Sequence, residues 1–404
     1  MPKSVQKKRR KFWILGTVVL LGTVGVTAVF WQVNRVQRAM TDFILAHPQD
    51  TAVVSYTFGE NGNLVDDGSA LFYNADAPLV LASVMKTAVL ATYAEMVVSG
   101  ELDPNEPVPV AEWERYYLPG SDGGAHIAGL RSVGLVADDL GFAVDQTAVV
   151  TLDDLATMMM HFSGNASTDY LLARVGLERV TAVTQTHLPH QTPIHYTLGY
   201  ALAVFNHEEP FSLEWVQAVQ SKVANGDFSD LDRLIDLYKN DASWRQAQLA
   251  FMSSLTSQSI EGEAMWAFQE TAVQLMPKGT ARDYAHLMAQ IGSGHFISAE
   301  VSALMQQKME TVPSDWPLRW LYFDRFAAKD GTTAGILTLA AYAVPSRGGF
   351  EGKNRVVVLF TNGLRPDLFA QQVQFQGHYL LPIDLARAGT QFKRLSGSEF
   401  AVQN

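Results

Sequence analysis

Ser83 and Lys86 are the two residues of this chain whose types and spacing could do covalent chemistry. The run 82–96 around them contains no Gly or Pro and predicts a buried helix that begins near the serine. Residues i and i+3 share one helix face, so the amine can reach the hydroxyl oxygen. A helix N-terminus favours negative charge on that oxygen, and burial pushes a lysine toward its neutral, basic form. The pair is therefore predicted to be a nucleophile with its own base.

Two later segments strengthen this prediction. Ser163-Gly164-Asn165 lies between two helical patterns, and Lys329-Asp330-Gly331 follows a β-like stretch. Taken singly, each could be an ordinary helix stop or strand end. In this order after Ser-x-x-Lys, they are similar to the three motifs of class A β-lactamases and penicillin-binding proteins. The chain thus resembles the penicillin-recognising serine enzymes, most closely their class A β-lactamase-like branch.

The resemblance covers residues 33–376, with a poor match over about 190–276. It includes the flanking strings Tyr73-Asn74-Ala75-Asp76 and Gly100-Glu101-Leu102-Asp103 on either side of the serine helix. It implies an α+β fold of the β-lactamase/transpeptidase type. That fold has an antiparallel five-stranded sheet flanked by helices, together with an all-helical subdomain.

The resemblance also implies roles for individual residues. Ser83 would be the nucleophile, Lys86 its base, and Ser163 the proton shuttle to the leaving nitrogen. Asn165 would orient the substrate amide, and Lys329 would supply positive potential for a substrate carboxylate. The backbone N–H groups of Ser83 and Thr332 would form the oxyanion hole. The remaining substrate-binding positions are Gly331, Thr332 and Thr333.

The chain departs from the family pattern at three places. Gly164 stands where aspartate is usual, which would loosen the loop, and Asp330 stands where threonine or serine is usual. The glutamate that hydrolyses the acyl-enzyme in class A β-lactamases has no clear counterpart. Glu209, followed by Pro210, is the nearest candidate; otherwise it is a helix-entry residue before an N-cap at Ser212. Without such a base the acyl-enzyme would persist.

Composition narrows the function further. The 404 residues are 48% hydrophobic, enough for a large core in one or two intertwined domains. A net charge of −11 argues against a nucleic-acid partner. The absence of cysteine excludes disulfides, thiolate metal sites and a cysteine nucleophile. No cofactor is implied.

The N-terminus predicts a membrane anchor. Residues 1–11 are rich in Lys and Arg, and residues 12–31 are uncharged and mostly apolar. About 20 apolar residues span a bilayer core, and the positive-inside bias keeps the basic end cytoplasmic. We expect a single-pass cell-membrane protein with an extracytoplasmic catalytic domain. A signal peptide processed near Val26-Thr27-Ala28 remains the alternative.

Patterning along the chain predicts strands at both ends and helices between them. The predicted strands lie at 51–58, 69–74, 321–329, 335–344 and 355–361, with a mainly helical region from 83 to about 312. The segment 212–276 is interpreted as a helical insertion, either an elaboration of the helical subdomain or a partner-docking surface. Residues 377–404 are predicted to form a C-terminal tail with at most a short helix.

The remaining polar candidates receive plainer interpretations. The histidines at 187, 190 and 195 are interpreted as loop residues rather than a metal site, because no Cys or close acidic pair accompanies them. His126, in a Gly-rich loop, either borders the cleft or serves only structure. Asp169 is predicted to be a solvated helix residue.

Three functions remain open at this point. The first is β-lactam hydrolysis through an acyl-enzyme at Ser83. The second is a D-alanyl-D-alanine carboxypeptidase or slow penicillin-binding protein that acts on peptidoglycan stem peptides. The third is a catalytically inert binding protein that has kept the fold.

Overall fold

An antiparallel sheet built from both ends of the chain forms the centre of the structure. The structure is a computed structural model that describes residues 30–257, 263–310, 319–398 and 401–402. The strands are β1 Thr51–Thr57, β2 Leu71–Tyr73, β3 Leu79–Val80, β4 Pro107–Pro109, β5 Val149–Thr151, β6 Lys278–Gly279, β7 Phe323–Thr333, β8 Ile336–Pro345, β9 Arg355–Thr361 and β10 Ala401–Val402. The main sheet has the order β10-β2-β1-β9-β8-β7, and β3–β6 and β4–β5 form two small ribbons.

Helices account for most of the remaining described chain. They are α1 (30–46), α2 Lys86–Val98, α3 Val110–Trp113, α4 Ala125–Ser132, α5 Leu152–His161, α6 Asn165–Val175, α7 Leu177–His187, α8 Thr197–Val204, α9 Leu213–Ala224, α10 Ser229–Asn240, α11 Ala242–Ser257, α12 Glu263–Ala272, α13 Ala281–Ser293, α14 Ala299–Glu310, α15 Arg319–Tyr322, α16 Pro366–Gln374, α17 Gly377–Ala386 and α18 Thr390–Ser396. A short 3₁₀ turn, Ala82–Met85, precedes α2.

The strands β1 and β9 are buried at every position, because helices cover both faces of the sheet. α13 packs on β1, β8 and β9 from one side, and α14 packs on β7. α1 and α17 lie on the other side, in a core that includes Met40, Ile44, Leu381 and Leu385. The predicted α+β class with an antiparallel sheet is therefore confirmed.

Two details of that prediction were wrong. The described sheet has six strands rather than five, because the two residues of β10 pair with β2. The segment after residue 376 was predicted to be a tail, yet α17 packs against β8 and β9, and α18 packs against α17. Gln37 of α1 donates a hydrogen bond to the carbonyl of Leu380 at 2.7 Å, which joins the two ends of the chain.

The predicted membrane anchor at 12–31 lies almost entirely outside the described residues. Its last two residues, Phe30 and Trp31, begin α1, and both are exposed. Within the described ranges, no helix is both long and apolar enough to cross a bilayer.

A helical lobe joins the sheet through α2. The residues of α2 from Lys86 to Ala94 are all buried, which fits a helix that is apolar on every side. α2 packs against α5, α6, α7 and α14. The predicted insertion 212–276 contains α9 to α12, and α10 packs on α8 while α12 packs on α9. The insertion therefore extends the helical lobe.

Leucine-to-alanine replacement in α17 tests whether the C-terminal helices belong to the same folded body. Leu381 is fully buried, so Leu381→Ala should lower the free energy of unfolding by about 2–5 kcal/mol. Val373 on α16 is 40% exposed, and Val373→Ala should change the free energy of unfolding by less than about 0.5 kcal/mol. Urea unfolding measures both, and equal stability of the two variants would contradict the packing.

Candidate active site

The site forms where the edge strand β7 meets the 3₁₀ turn that carries Ser83. A Cβ atom placed on Gly331 would lie 2.7 Å from the backbone nitrogen of Ser83 and 2.8 Å from the carbonyl oxygen of Leu81. The hydroxyl of Thr338 on β8 also donates to the Leu81 carbonyl at 2.8 Å. Because only glycine permits this approach, Gly331 brings the third motif against the first.

The 3₁₀ turn sets the relation between the first two catalytic candidates. Ser83 lies within the turn and Lys86 begins α2. In 3₁₀ geometry residues i and i+3 eclipse, which puts Ser83 and Lys86 on the same side of the turn. Ala82, just before the serine, has φ of 46°, a left-handed conformation that a non-glycine residue adopts at a cost. The strain lies immediately beside the predicted nucleophile.

The second motif reaches Lys86 through two acceptors. Lys86 Nζ donates to the carbonyl oxygen of Ser163 at 2.5 Å and to Asn165 Oδ1 at 2.8 Å. Ser163 has φ of 66°, and Ser163 Oγ is 3.4 Å from the amine. A neutral amine has two N–H donors and one lone pair. The amine therefore has three oxygen neighbours, and in its neutral form its lone pair can accept a proton from a hydroxyl.

Burial makes this amine a base near neutral pH. Lys86 is fully buried, and this burial together with the positive charge of Lys329 lowers its pKa to about 7. An ordinary exposed lysine would be almost fully protonated at that pH. The sequence-based prediction of a depressed lysine pKa therefore agrees with this environment.

Lys329 is paired within its own strand. Its side chain is 1% exposed, and its Nζ donates to the backbone carbonyl of Asp330 at 2.9 Å and to Asp330 Oδ1 at 3.2 Å. Asp330 Oδ2 is 3.6 Å from Nε2 of His378 on α17. Burial would raise the pKa of Asp330, but Lys329 and His378 hold it well below its usual value. The residue that replaces the family threonine thus neutralises the lysine expected to bind a substrate carboxylate.

The structure also explains why a glycine occupies the middle position of the second motif. A Cβ on Gly164 would lie 2.7 Å from the hydroxyl of Ser167. The carbonyl of Gly164 accepts hydrogen bonds from Ser167 at 3.0 Å and from Thr168 at 2.6 Å. The expectation that Gly164 loosens the loop was wrong, because these bonds tie the loop to the first turn of α6.

The first motif, Asn165 of the second and Thr333 beyond the third border a cavity of about 280 Å³, whereas Ser163, Lys329 and Gly331 are not among the described residues that line it. Its polar side chains come from several elements: Ser83, Lys86, Ser121, Asn165, Thr197, Gln269 and Thr333. Its other walls are mostly apolar: Met85, Tyr200, Ala201, Val204, Phe205, Ala272, Val273, Met276 and Ala334. Thr333 lines the cavity, whereas the side chain of Thr332, the other predicted hydroxyl, is exposed. The oxyanion role of the Thr332 backbone stays a prediction.

Sequence analysis missed the wall formed by α8. This helix lies in the stretch that matched the family poorly, and nothing in its pattern marked Thr197, Tyr200 or Ala201 as site residues. Gly120 and Ser121, which also line the cavity, lie in the Gly-rich loop where only His126 was considered.

Asp169 was predicted to be solvated, and this was wrong. It is fully buried, and its carboxylate accepts the backbone N–H groups of Thr197 and Leu198, each at 2.7 Å. These are the first residues of α8, whose unsatisfied N–H groups need an acceptor. Burial raises the pKa of Asp169 to about 7, against the lowering effect of the two N–H groups. A buried carboxylate therefore fixes the helix that walls the cavity.

Other candidates lie away from the cavity. Glu209 is exposed and is not among the described lining residues, so the structure does not bring it to Ser83. His126 is buried, stacks on Tyr117 with ring centroids 3.8 Å apart, and lies 2.9 Å from Glu114 Oε1. The structural interpretation of His126 therefore replaces the cleft interpretation.

The three clustered histidines have separate surroundings. His187 ends α7 against Phe296, His190 contacts the carboxylate of Asp283 at 3.1 Å, and His195 is buried and stacks on Phe228. Among the described residues, no group of three or more His, Cys, Asp or Glu side chains is arranged to hold a metal ion.

The fold and the positions of the three motifs together define a protein of the β-lactamase/transpeptidase fold class. A profile of the beta-lactamase enzyme family matches residues 36–332, most of the chain. The chain therefore belongs to the beta-lactamase enzyme family, and the resemblance inferred from the motifs is confirmed. No curated protein sequence gives a significant match.

Solved structures show the same fold at low identity. A variant of the TLA-1 extended-spectrum beta-lactamase is 9% identical, with a TM-score of 0.50 over 88% of this chain and 99% of that chain. A beta-lactamase from Sphaerobacter thermophilus is 16% identical, with a TM-score of 0.48 over 84% of this chain and 89% of that one. A penicillin G acyl-enzyme of a PBP-A variant is 13% identical, with a TM-score of 0.48 over 89% and 97%.

Replacement of Gly331 tests the close approach of β7. Gly331→Ala should reduce the rate at which a fluorophosphonate labels Ser83 by about 100-fold, because the new methyl group displaces the Ser83 backbone. Gly59→Ala is the control, since its Cβ would meet nothing nearer than 3.4 Å, and its rate should stay within about twofold. Unchanged labelling of a folded Gly331→Ala protein would contradict the assignment.

The lowered pKa of Lys86 predicts a pH profile. Only the neutral amine accepts the serine proton, so labelling should rise with pH through a midpoint near 7 and then level off. Lys329→Met removes a nearby positive charge, which raises the pKa of Lys86 and shifts the midpoint to higher pH. Lys353→Met, which alters an exposed pair with Asp67, should leave the midpoint in place. If the midpoint is the same in Lys329→Met as in the wild type, the two amines are not coupled.

Proposed function

We propose that the protein is a serine acyl-transfer enzyme that forms an acyl-enzyme at Ser83 with β-lactams or peptidoglycan stem peptides. The observation that carries this proposal is the buried amine of Lys86, which Ser163 and Asn165 hold in a cavity that Ser83 also lines. An inert binding protein has no need of a desolvated amine beside a hydroxyl, since burial of such a group costs stability. Family membership supports the same class of chemistry.

Acylation follows from these groups. The Ser83 hydroxyl oxygen attacks the carbonyl carbon, and its proton passes to the lone pair of Lys86. The carbonyl oxygen becomes negative beside the N–H of Ser83 at the start of the turn, where helical dipoles favour that charge. The C–N bond then breaks, and the leaving nitrogen takes a proton through the hydroxyl of Ser163, which lies 3.4 Å from Lys86 Nζ.

Deacylation is proposed to be slow. Hydrolysis of the ester needs a water molecule and a general base on the open side of the acyl group. No carboxylate is among the described residues that line the cavity, and Glu209 is exposed elsewhere. Asp169 is the nearest buried acid of α6, but its oxygens are engaged by the N–H groups of α8. These observations favour a penicillin-binding, D-alanyl-D-alanine peptidase type of enzyme over a rapid β-lactamase.

The proposal keeps the expected location at the outer face of the cell membrane. Its support is the basic segment 1–11 followed by the apolar segment 12–31. Peptidoglycan stem peptides and β-lactams are both met outside the cytoplasm, so such an anchor would hold the site near its substrates.

Intact mass spectrometry with benzylpenicillin tests the proposal. The wild-type protein should gain one whole penicillin and keep it after excess drug is removed, because no carboxylate is among the described residues that line the cavity. Ser83→Ala should gain none, whereas Ser99→Ala, at an exposed serine, should behave as wild type.

Two other outcomes would overturn parts of the proposal. Rapid loss of the adduct with accumulation of hydrolysed penicillin would make the protein a β-lactamase. If Ser83 forms no penicillin adduct and is not labelled by a fluorophosphonate, only the binding-protein interpretation remains.

A further inference from the structure

We propose that a second cavity beside the active site binds an anionic arm of the acyl donor. Lys278 would select peptidyl donors that carry a carboxylate about two residues before the acylated residue. The inference rests on the proposed acyl-enzyme at Ser83 and names the class of peptide that forms it. It depends on a cavity that adjoins the active-site cavity, on one charged residue in its lining, and on a buried hydroxyl where the two cavities meet.

The second cavity has a volume of about 350 Å³. Tyr200 of α8 and Met276 line both this cavity and the active-site cavity, so the two cavities meet at these side chains. Thr192, Ala224 and Gly226, which also line the second cavity, are exposed. An acyl group that begins at Ser83 and passes Tyr200 would therefore find further room in the second cavity, which is open to solvent.

Lys278 gives the second cavity a positive charge. It is the one charged residue among the described residues that line this cavity. In the ribbon β3–β6 it stands opposite Val80, and directly opposed residues of an antiparallel pair project from the same face. Val80 packs with Val273 and Met276, so the Lys278 side chain projects on the face that carries Met276. The carboxylate of a ligand is the partner that this charge would take.

The ribbon also limits the distance from Lys278 to the nucleophile. Val80, the register partner of Lys278, precedes Ser83 by three residues, and the N–H of Leu81 donates to the carbonyl of Pro277 at 2.9 Å. A pair separation of about 5 Å and at most about 3.6 Å per residue place the Cα atoms of Lys278 and Ser83 within about 16 Å. An extended peptide advances about 3.3 Å per residue, and the lysine side chain covers part of the distance.

Two polar side chains suit the peptide between these ends. Tyr200 is 4% exposed, and its hydroxyl lies near the backbone of His195 without a hydrogen-bond partner among the described residues. A buried hydroxyl without a partner is costly, and an amide group of a ligand would satisfy it. Gln269 of α12 lines the active-site cavity, and its carboxamide can both donate to and accept from a peptide backbone. The lining therefore suits a peptide rather than a purely apolar chain.

A peptidoglycan stem peptide has a carboxylate at this position. Its glutamate is joined to the next residue through the side chain and keeps a free α-carboxylate, which amidation converts to a carboxamide. The inference therefore predicts that the protein prefers stem peptides that are not amidated.

The experiment compares two thioesters, γ-glutamyl-alanyl-D-alanyl thioglycolate with a free α-carboxylate and the same compound with an α-carboxamide. The Ser83 oxygen bonds to the thioester carbon, and its proton goes to Lys86. The C–S bond breaks, and the thiolate leaves with the electron pair. A disulfide reagent measures this thiol, and the protein has no cysteine that would react with it. The burst of thiol measures acylation alone, even where the acyl-enzyme persists.

The wild-type protein should be acylated about fivefold faster by the carboxylate donor, the scale of one half-buried ion pair. Lys278→Met should bring this ratio to about one, Lys278→Glu should reverse it, and Lys278→Arg should keep it, because only the charge is required. Lys222→Met is the matched control. It makes the same change in net charge at a partly exposed lysine of α9 that is paired with Asp230, outside the described lining of both cavities, and should keep the ratio.

Benzylpenicillin, whose side chain has no carboxylate, shows whether Ser83 of each variant is still reactive. A wild-type ratio near one, or a wild-type preference that Lys278→Met retains, would overturn the inference while the penicillin adduct upholds the proposed function. Acylation by penicillin but by neither peptide donor would overturn it as well. If neither the peptide donors nor penicillin modifies Ser83, the proposed function fails and the inference fails with it.

Discussion

Two buried lysine amines, that of Lys86 at the start of α2 and that of Lys329 on β7, constrain the whole site. Lys86 and Lys329 are 0% and 1% exposed, and each charge repels the other in a poorly solvated region. The structure resolves this conflict by giving only Lys329 a carboxylate partner, Asp330. Lys86 receives neutral acceptors instead, and burial with repulsion leaves it a base. The partners of the two amines therefore determine which amine carries the charge and which accepts a proton.

The two departures from the family motifs are each explained by a neighbour. Ser167 and Thr168 bond the loop at Gly164, at the place where a larger residue would collide with Ser167. Asp330 is matched by His378 of α17, a helix from the end of the chain. The third motif thereby contacts the C-terminal helices through the Asp330–His378 pair.

The sequence predicted the secondary structure and the motif residues better than the tertiary contacts around them. The strands and the Ser83 helix follow from period and composition, and the motifs identified the residues around Lys86. The burial of Asp169 could not be predicted, because it depends on where α8 begins and the stretch before α8 has no regular pattern. His126 looked like a cleft residue because its loop is rich in glycine, yet Glu114 and Tyr117, both nearby in sequence, hold it inside. The pairing of the ends of the chain, through Gln37 and α17, is a tertiary contact with no local signal.

The hydrogen bond from Thr338 to Leu81 joins residues that are 257 positions apart in the sequence, and this separation has a consequence for biosynthesis. Ser83 leaves the ribosome well before the strand β7 that completes its surroundings. A nascent or truncated chain therefore holds the serine without β7 beside it and should be chemically silent. Such long-range closure is slow, and it leaves apolar surface exposed until β7 and β8 have been made.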